Sequence, residues 1–398
     1  MGANLVEECL EPDEIANPKI KTLSSERCPV STMDLVTSKL QVLDATDPDD
    51  SSLWEELVDR APIPDVYYRP GYALANEVVD HGKAIALLLI DRNIEVLIPL
   101  LLRTLSDLPF AADQPGFDAV TPYGYGGIVL LSERGRPSDS DVLALLNALQ
   151  HWCNERSVIS CHIRLHPLLE QTQWLDATRF QDHTASLSFR ALTTGIDLSK
   201  WDSANQRIAG MNENRRSRLN VARRHLRVLW GGSEIPMPEA LRLFRQVYEH
   251  RMGQVHASAY YYFPEEYYTA LGAQTNLGVA LAWLGEELVG GQLFLADRQF
   301  AHYHLGGANE NGLKFNSSTL LINAGAEWAR EHGCRLLHLG GGGDGVFGYK
   351  KSYGGPIFQY YTLDTIAEKS AYTNLVETRL HSKALPPPRQ DFFPEYRA

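Results

Sequence analysis

Apolar and polar positions alternate with two different periods along this chain, and the changes of period mark its elements. Ala84–Ile90 and Glu95–Leu102 are strand-length apolar runs joined by the polar turn Asp91-Arg92-Asn93. Phe117–Val120 is a further short strand, and it leads into the glycine-rich stretch Thr121-Pro122-Tyr123-Gly124-Tyr125-Gly126-Gly127. Val142, Leu145, Leu146, Leu149 and Trp152 then recur at helical spacing, predicting a helix over Ser140–Glu155, and Val158–Leu165 reads as a strand. The same order returns later. Val279–Trp283 and Gly290–Ala296 form a second hairpin across Gly285-Glu286-Glu287. Ala301–His304 enters Leu305-Gly306-Gly307, read as a turn; Ser317–Glu331 is helical, and Leu336–Leu339 is a strand.

The two series keep a nearly constant offset. Gly127 to Gly307 is 180 residues, and Val142 to Thr319 and Ile159 to Leu336 are each 177. A whole series in register implies an internal duplication, two similar α/β units side by side. Before the first unit, residues 1–50 are polar with scattered prolines and read as a partly disordered extension, ending in the helix-start signal Asp47-Pro48-Asp49-Asp50. Leu53–Asp59 is a short amphipathic helix.

Two stretches depart from ordinary surface composition. Between the units, six arginines fall within the thirteen residues Arg215–Arg227, while Leu219, Ala222 and Leu226 share one helical face. Such density suits either a solvated, salt-bridged face or phosphate recognition, to which Arg215, Arg216, Arg218 and Arg223 are assigned. Downstream, Tyr260-Tyr261-Tyr262-Phe263 and Tyr267-Tyr268 place six rings in nine positions, more than one element can bury, so a ring-lined pocket is expected.

The second half closes on RLLHLGGGGDGVFGYKKSYGG, Arg335–Gly355. Gly340, Gly341, Gly342 and Gly343 allow close backbone approach and can present N–H groups to an anion. Lys350 and Lys351 follow, flanked by Tyr349 and Tyr353.

Net charge is −12, which excludes general nucleic-acid binding but leaves room for a local basic patch. No apolar run reaches the roughly 18 residues needed to cross a bilayer. The five cysteines are scattered without metal-ligand spacing, as expected of reduced thiols in a cytoplasmic protein. His302 and His304 form an HxH on one strand face, and His162 lies near His166; neither pair has an evident third ligand, so no metal is expected. Neither a GxSxG elbow nor a Cys/His arrangement points to a covalent nucleophile.

The hairpin leading through YHLGG to helix and strand, the arginine-rich helix and the closing Tyr349-Lys350-Lys351-Ser352-Tyr353-Gly354 together resemble the Fem family. These are the FemABX peptidoglycan-bridge aminoacyltransferases and related GNAT-fold acyltransferases. TPYGYGG at Thr121–Gly127 is similar to the first-domain signature of the compact members that lack a coiled-coil arm. The resemblance covers roughly residues 60–362. It implies two tandem GNAT-like domains, each a central mixed β-sheet flanked by helices. Their expected bounds are 51–195 and 196–362, with 363–398 returning to pack on the first. It also implies transfer of an amino acid from aminoacyl-tRNA to a primary amine of a peptide, peptidoglycan precursor or peptidyl natural product, with no tightly bound cofactor.

On the family pattern Lys350, with Tyr349, is the catalytic position, either stabilising developing negative charge or holding a donor phosphate. Gly340–Gly343, Lys351 and the four arginines are expected to seat the donor. Tyr123, Tyr125, Tyr261, Tyr262, Tyr353 and His304 are expected to line the acceptor side. The alternatives are an acyl-CoA-dependent N-acyltransferase and a non-catalytic binding protein on the same fold. Gly306-Gly307-Ala308-Asn309 matches the R/Q-x-x-G-x-G/A pyrophosphate loop of CoA-using members poorly, which favours the aminoacyl-tRNA donor.

Overall fold

The computed structural model describes residues 39–91, 93–132, 135–175, 184–273, 276–382 and 392–398. Thirteen strands among them join in one sheet. The first unit contributes β1 (Lys39–Asp44), β2 (Lys83–Ile90), β3 (Glu95–Thr104), β4 (Phe117–Val120), the two-residue β5 (Val129–Leu130) and β6 (Val158–Arg164). A long strand, β7 (Ala185–Asp197), leads into the second unit, with β8 (Arg227–Trp230), β9 (Leu277–Leu284), β10 (Glu287–Asp297), β11 (Phe300–Ala308) and β12 (Leu336–Gly340). The last strand, β13 (Ile357–Ile366), is inserted between β6 and β7, antiparallel to both, and makes the two halves one sheet. The fold is two GNAT-like units of mixed sheet flanked by helices.

The duplication shows in the pairing. In each half an antiparallel meander ends in a strand lying parallel to the next, β4 beside β6 and β11 beside β12. Helices cross over between those partners: α3 (Asp139–Glu155) in the first half, α8 (Glu310–Lys314) and α9 (Ser317–Glu331) in the second. α3 begins with a capping box in which Ser138 and Asp141 satisfy each other's backbone N–H.

Each half has its own apolar layer, one packing α3 on β2–β6, the other packing α9 and α5 (Glu213–His225) on β9–β12. A third layer lies between the halves. There Tyr67 and Tyr72, the latter on α2 (Pro70–Asp80), meet Phe244 on α6 (Met237–Gln254) and Phe263, Tyr267 and Tyr268 around α7 (Glu265–Gly272). Arg69 reinforces the contact by donating to both oxygens of buried Asp297 at 2.5 and 3.1 Å.

Three local expectations differ. Lys39–Asp44 is the edge strand of the sheet, so the chain is ordered ahead of residue 50, where an extension was expected; residues 1–38 lie outside the described residues. Helix α1 runs Pro48–Arg60, longer than the apolar pattern alone suggests, because Asp47 caps it. Leu305-Gly306-Gly307 is not a turn but continues β11, which runs to Ala308. Gly307 is needed there because a Cβ would sit 2.8 Å from the Tyr248 Cα on α6, so the missing side chain lets the helix lie on the strand. Beyond β13, α11 (Lys369–His381) and residues 392–398 pack against the first half, where buried Asp118 receives Arg103 at 2.7 Å, Arg397 at 2.5 Å and the Tyr396 hydroxyl at 3.1 Å.

Candidate active site

β11 and β12 are paired only over Phe300–His302 and Leu336–His338. Beyond that rung the strands part, and a cleft of about 370 Å³ opens between them. Tyr303 and His304 line one arm; Leu339, Gly340, Gly341 and Gly342 line the other. The first half supplies Tyr67, Tyr123, Gly124, Tyr125 and Arg164, and Tyr260, Tyr261, Lys350 and Tyr360 complete the wall.

The glycine run turns the chain out of β12. Gly340 has φ +74° and Gly342 φ +140°, the left-handed region where a Cβ is costly. At Gly340 that Cβ would also lie 3.0 Å from the Tyr125 hydroxyl, which instead accepts the Gly341 N–H at 3.3 Å. Gly343 then caps α10 (Asp344–Lys351), and this short helix aims the lysine.

Lys350 Nζ donates to the Gly341 carbonyl at 2.6 Å and stands 5.1 Å from the centre of the Tyr303 ring. Among the described residues it has no carboxylate partner, and burial pushes its ammonium down to about 8. Arg164, at the far end, donates to the Thr121 carbonyl at 2.6 Å and likewise has no ion pair. Among the described residues the cleft therefore carries two cations and no lining acid, in a chain of net charge −12. His304 shares its Nε2 with the Tyr267 hydroxyl at 2.5 Å, and burial drives its pKa down to about 3, so it stays neutral. Cys153 and Cys334 are buried with thiols pushed up to about 12, and burial raises Cys161 further, so none of the three is a poised thiolate.

The structure divides the expected site residues. Lys350, Gly340, Gly341, Gly342, Tyr123, Tyr125, Tyr261 and His304 meet in the cleft. Gly343, Lys351, Tyr262, Tyr349, Tyr353 and the arginines of α5 do not line it. One helical step of about 100° separates Tyr349 from Lys350. Tyr349 and Tyr353 sit one turn apart on the other side of α10, hydroxyls 3.0 Å from each other, and Arg215 stacks on both rings at 4.4 and 4.8 Å. Arg215 is buried, donates to Thr319 at 3.3 Å and also to Ser352; it anchors α10 from behind rather than presenting charge to a phosphate. Arg218 and Arg223 are exposed on α5, and Arg216 bonds the Ala209 carbonyl at 2.9 Å. Tyr260, from the ring cluster expected to line a pocket, is in the wall, while sequence reasoning missed Tyr67, Arg164, Tyr303 and Tyr360. For Tyr303 a signal existed, since it lies in the YHLGG stretch.

Beneath the cleft lies a buried cluster of Asp65, His166, His302 and His338. Asp65 caps a short turn by accepting the Tyr67 N–H at 3.1 Å, and its other oxygen meets His302 Nε2 at 2.8 Å and His166 Nε2 at 3.3 Å. The coordinating atoms of Asp65, His166 and His302 lie within 4.8 Å of one another, close enough for a cation. Their hydrogen bonds do not fit one. His166 Nδ1 accepts the Leu168 N–H at 3.3 Å, so its proton belongs on Nε2, the nitrogen that a cation beside Asp65 would need bare.

Residues 211–351 match the family model described as an acetyltransferase (GNAT) domain. Among solved structures, FemX matches with a TM-score of 0.60 at 13% identity, covering 81% of this chain and 98% of that one. L-PGS from Bacillus licheniformis matches at 0.52 and 13%, covering 85% and 98%. The C-terminal domain (DUF2156) of a putative lysylphosphatidylglycerol synthetase from Agrobacterium fabrum matches at 0.50 and 12%, covering 83% and 98%. Comparison with the curated proteins by sequence gives no match. At these identities the structural likenesses establish the fold. Residues 211–351 thus match a GNAT acetyltransferase domain, set in a chain that shares the fold of FemX.

Proposed function

We propose that this protein transfers an aminoacyl group from aminoacyl-tRNA to a primary amine of a peptide, precursor or peptidyl product, by direct aminolysis in the cleft between the parted strands. The observation that carries this reading is Lys350, a desolvated cation without a carboxylate partner among the described residues, held by Gly341 where the GNAT domain opens. Fixed positive charge in a dry site stabilises the oxyanion that develops when an amine adds to an ester, and a short bond to a backbone carbonyl keeps that charge in place. Positioning supplies the rest, up to roughly 7–11 kcal/mol in ideal cases. The tyrosines give flat walls for an extended acceptor. Arg164 offers a guanidinium to an anionic group on it.

Aminoacyl-tRNA is favoured as donor by the exposed arginines of α5, which do not line the cleft and offer charge to the phosphates of a large donor. The match of residues 211–351 to an acetyltransferase model supports a second donor, acyl-CoA. The deciding experiment offers a panel of small amines labelled donors of both kinds. Lys350-dependent loss of label from tRNA supports the first reading, transfer only from acyl-CoA the second. Normal turnover by a folded Lys350→Met variant removes the lysine from either.

A further inference from the structure

The peptide group of Gly341 is gripped at both ends. Its carbonyl accepts from Lys350 Nζ at 2.6 Å, and its N–H donates to the Tyr125 hydroxyl at 3.3 Å. The lysine comes from α10 in the second half, the tyrosine from the glycine-rich loop that follows β4 in the first. Beside this peptide, Gly340 leaves a gap. The point its Cβ would occupy lies 3.0 Å from the Tyr125 hydroxyl oxygen and 3.7 Å from Lys350 Nζ. Both polar groups therefore flank one notch in the wall. Both line the cleft, and both are half-buried, so a bound molecule can reach them.

A phenol accepts through its oxygen and donates through its single hydrogen. The Tyr125 oxygen already accepts the Gly341 N–H, so its own hydrogen points elsewhere, and no group among the described residues accepts it. That donor is left for whatever enters the cleft. Its position is fixed by neighbouring rings: Tyr125 stands edge-on to His338 at 4.8 Å, to Tyr360 at 5.2 Å and to Tyr67 at 6.1 Å. The loop is pinned as well. Gly124 has φ +103° and lies so near Tyr67 that a Cβ would come within 2.5 Å of that ring. Burial, with Tyr360 alongside, raises the Tyr125 pKa above the ordinary phenol range, so the hydroxyl keeps its proton and acts only through hydrogen bonds.

We propose that the Tyr125 hydroxyl is a second donor to the oxyanion of the transfer, paired with Lys350 across the notch at Gly340. The inference rests on the acyl-transfer reading above. As the amine nitrogen bonds to the donor carbonyl carbon, an electron pair of the carbonyl moves onto its oxygen. Lys350 meets that oxygen with charge and Tyr125 with a directed hydrogen bond, from groups that need no rearrangement at that moment. The pair then returns, the bond from carbon to the leaving group breaks, and the proton shed by the amine ends on the departing atom. Neither Tyr125 nor Lys350 gives up a proton. Because one donor comes from each half, the oxyanion site is complete only when the two halves are docked.

Two substitutions in the full-length protein test this, assayed with whichever donor the wild type uses. Tyr125→Phe deletes the hydroxyl and keeps the ring. Loss of one oxyanion donor costs ~10²–10³-fold, so kcat is expected to fall about 100-fold with acceptor KM little changed, since the bond forms only in the transition state. Unchanged kcat overturns the proposal. A fall alone does not separate a donor from a prop, because Phe also releases the Gly341 N–H and with it the seat of Lys350. Difluorotyrosine at position 125 separates them. Fluorine makes the phenol a stronger donor and a poorer acceptor while the ring and hydroxyl remain, so this protein decides even if Tyr125→Phe does not fold. At a pH where the phenol is still protonated, a donor to the oxyanion raises kcat above wild type. A hydroxyl that serves only by holding Gly341 leaves kcat unchanged or lowers it, and either result rejects the donor. A wild type that transfers nothing from either donor sinks the acyl-transfer reading, and the oxyanion donor with it; an active wild type whose kcat ignores the Tyr125 hydroxyl sinks the donor alone.

Discussion

The guanidinium of Arg215 lies 4.4 Å from the centre of the Tyr349 ring, inside the protein and behind the helix that carries Lys350. Its replacement is therefore predicted to act through α10. Arg215→Ala removes two stacking contacts and the bonds to Thr319 and Ser352, and should cost about 3 kcal/mol. Arg215→Lys restores charge but neither the planar stack nor the forked bonding, so it should recover less than half of the loss. Thermal melts measure both, and activity should decline further than the stability loss explains, because Lys350 is displaced.

Lys350 predicts a pH profile. Its folded value of about 8 lies below the ordinary 10.5. If the ammonium is the working form, turnover falls as pH rises through about 8, and Lys350→Arg should carry that limb beyond the measurable range. Stability moves the opposite way. Between about 8 and 10.5 the unfolded lysine binds a proton that the folded one has lost, so stability rises with pH across that window. Lys350→Met should abolish the rise, which denaturant titrations at pH 8 and 10 would read.

The buried imidazoles predict acid sensitivity. His162, His166, His304 and His338 all have values lowered chiefly by burial. Each stays neutral in the fold while its unfolded counterpart protonates below about 6.5, so stability is fully present above that pH and declines as pH falls. Asp65, also lowered, contributes in the same direction at still lower pH. A melting temperature that holds steady from pH 7 to pH 5 would contradict this.

Gly307→Ala places a methyl 2.8 Å from the Tyr248 Cα and 2.9 Å from the Val247 carbonyl, backbone atoms that cannot swing aside. Helix α6 must lift from β11, at a predicted cost of about 1–3 kcal/mol as for other overpacked contacts. Gly285→Ala is the control for simple glycine replacement in a strand connection: a Cβ there meets nothing within 4 Å, though its φ of +60° adds a smaller strain. Comparable losses in the two would show that the close approach is not what Gly307 provides.

Much of the fold was legible because burial imposes a period. The two hairpins, α3, α9 and the strands that follow them emerged within a few residues of their observed ends. Elements without a strong apolar period, such as β7 and β13, were missed, since their exposed and half-buried positions do not alternate cleanly. The site was half legible. Glycines and Lys350 are adjacent in sequence and remain together in space. Tyr349 and Tyr353 looked equivalent to the lysine only because a linear motif hides helical rotation. Arg215 could have been separated from its neighbours beforehand: it stands four residues before Leu219, on the face that Leu219 and Ala222 bury. The cluster beneath the cleft was out of reach, since strand pairing joins residue 302 to 338 and packing adds residues 65 and 166.

The insertion of β13 between β6 and β7 has a consequence for how the chain folds. Ile357–Ile366 is the last of the described strands to be synthesised, yet it supplies the partner along β6 and most of β7. Until it arrives, an amino-terminal half emerging from the ribosome presents bare strand edges, the kind of surface that pairs with neighbours. Pairings separated by about 200 residues, such as Cys161 with Thr365, also carry a heavy loop-closure cost and slow folding. The two halves are thus duplicates in pattern but not independent in assembly: severing the chain between them would leave the first half with an unfinished edge along β6.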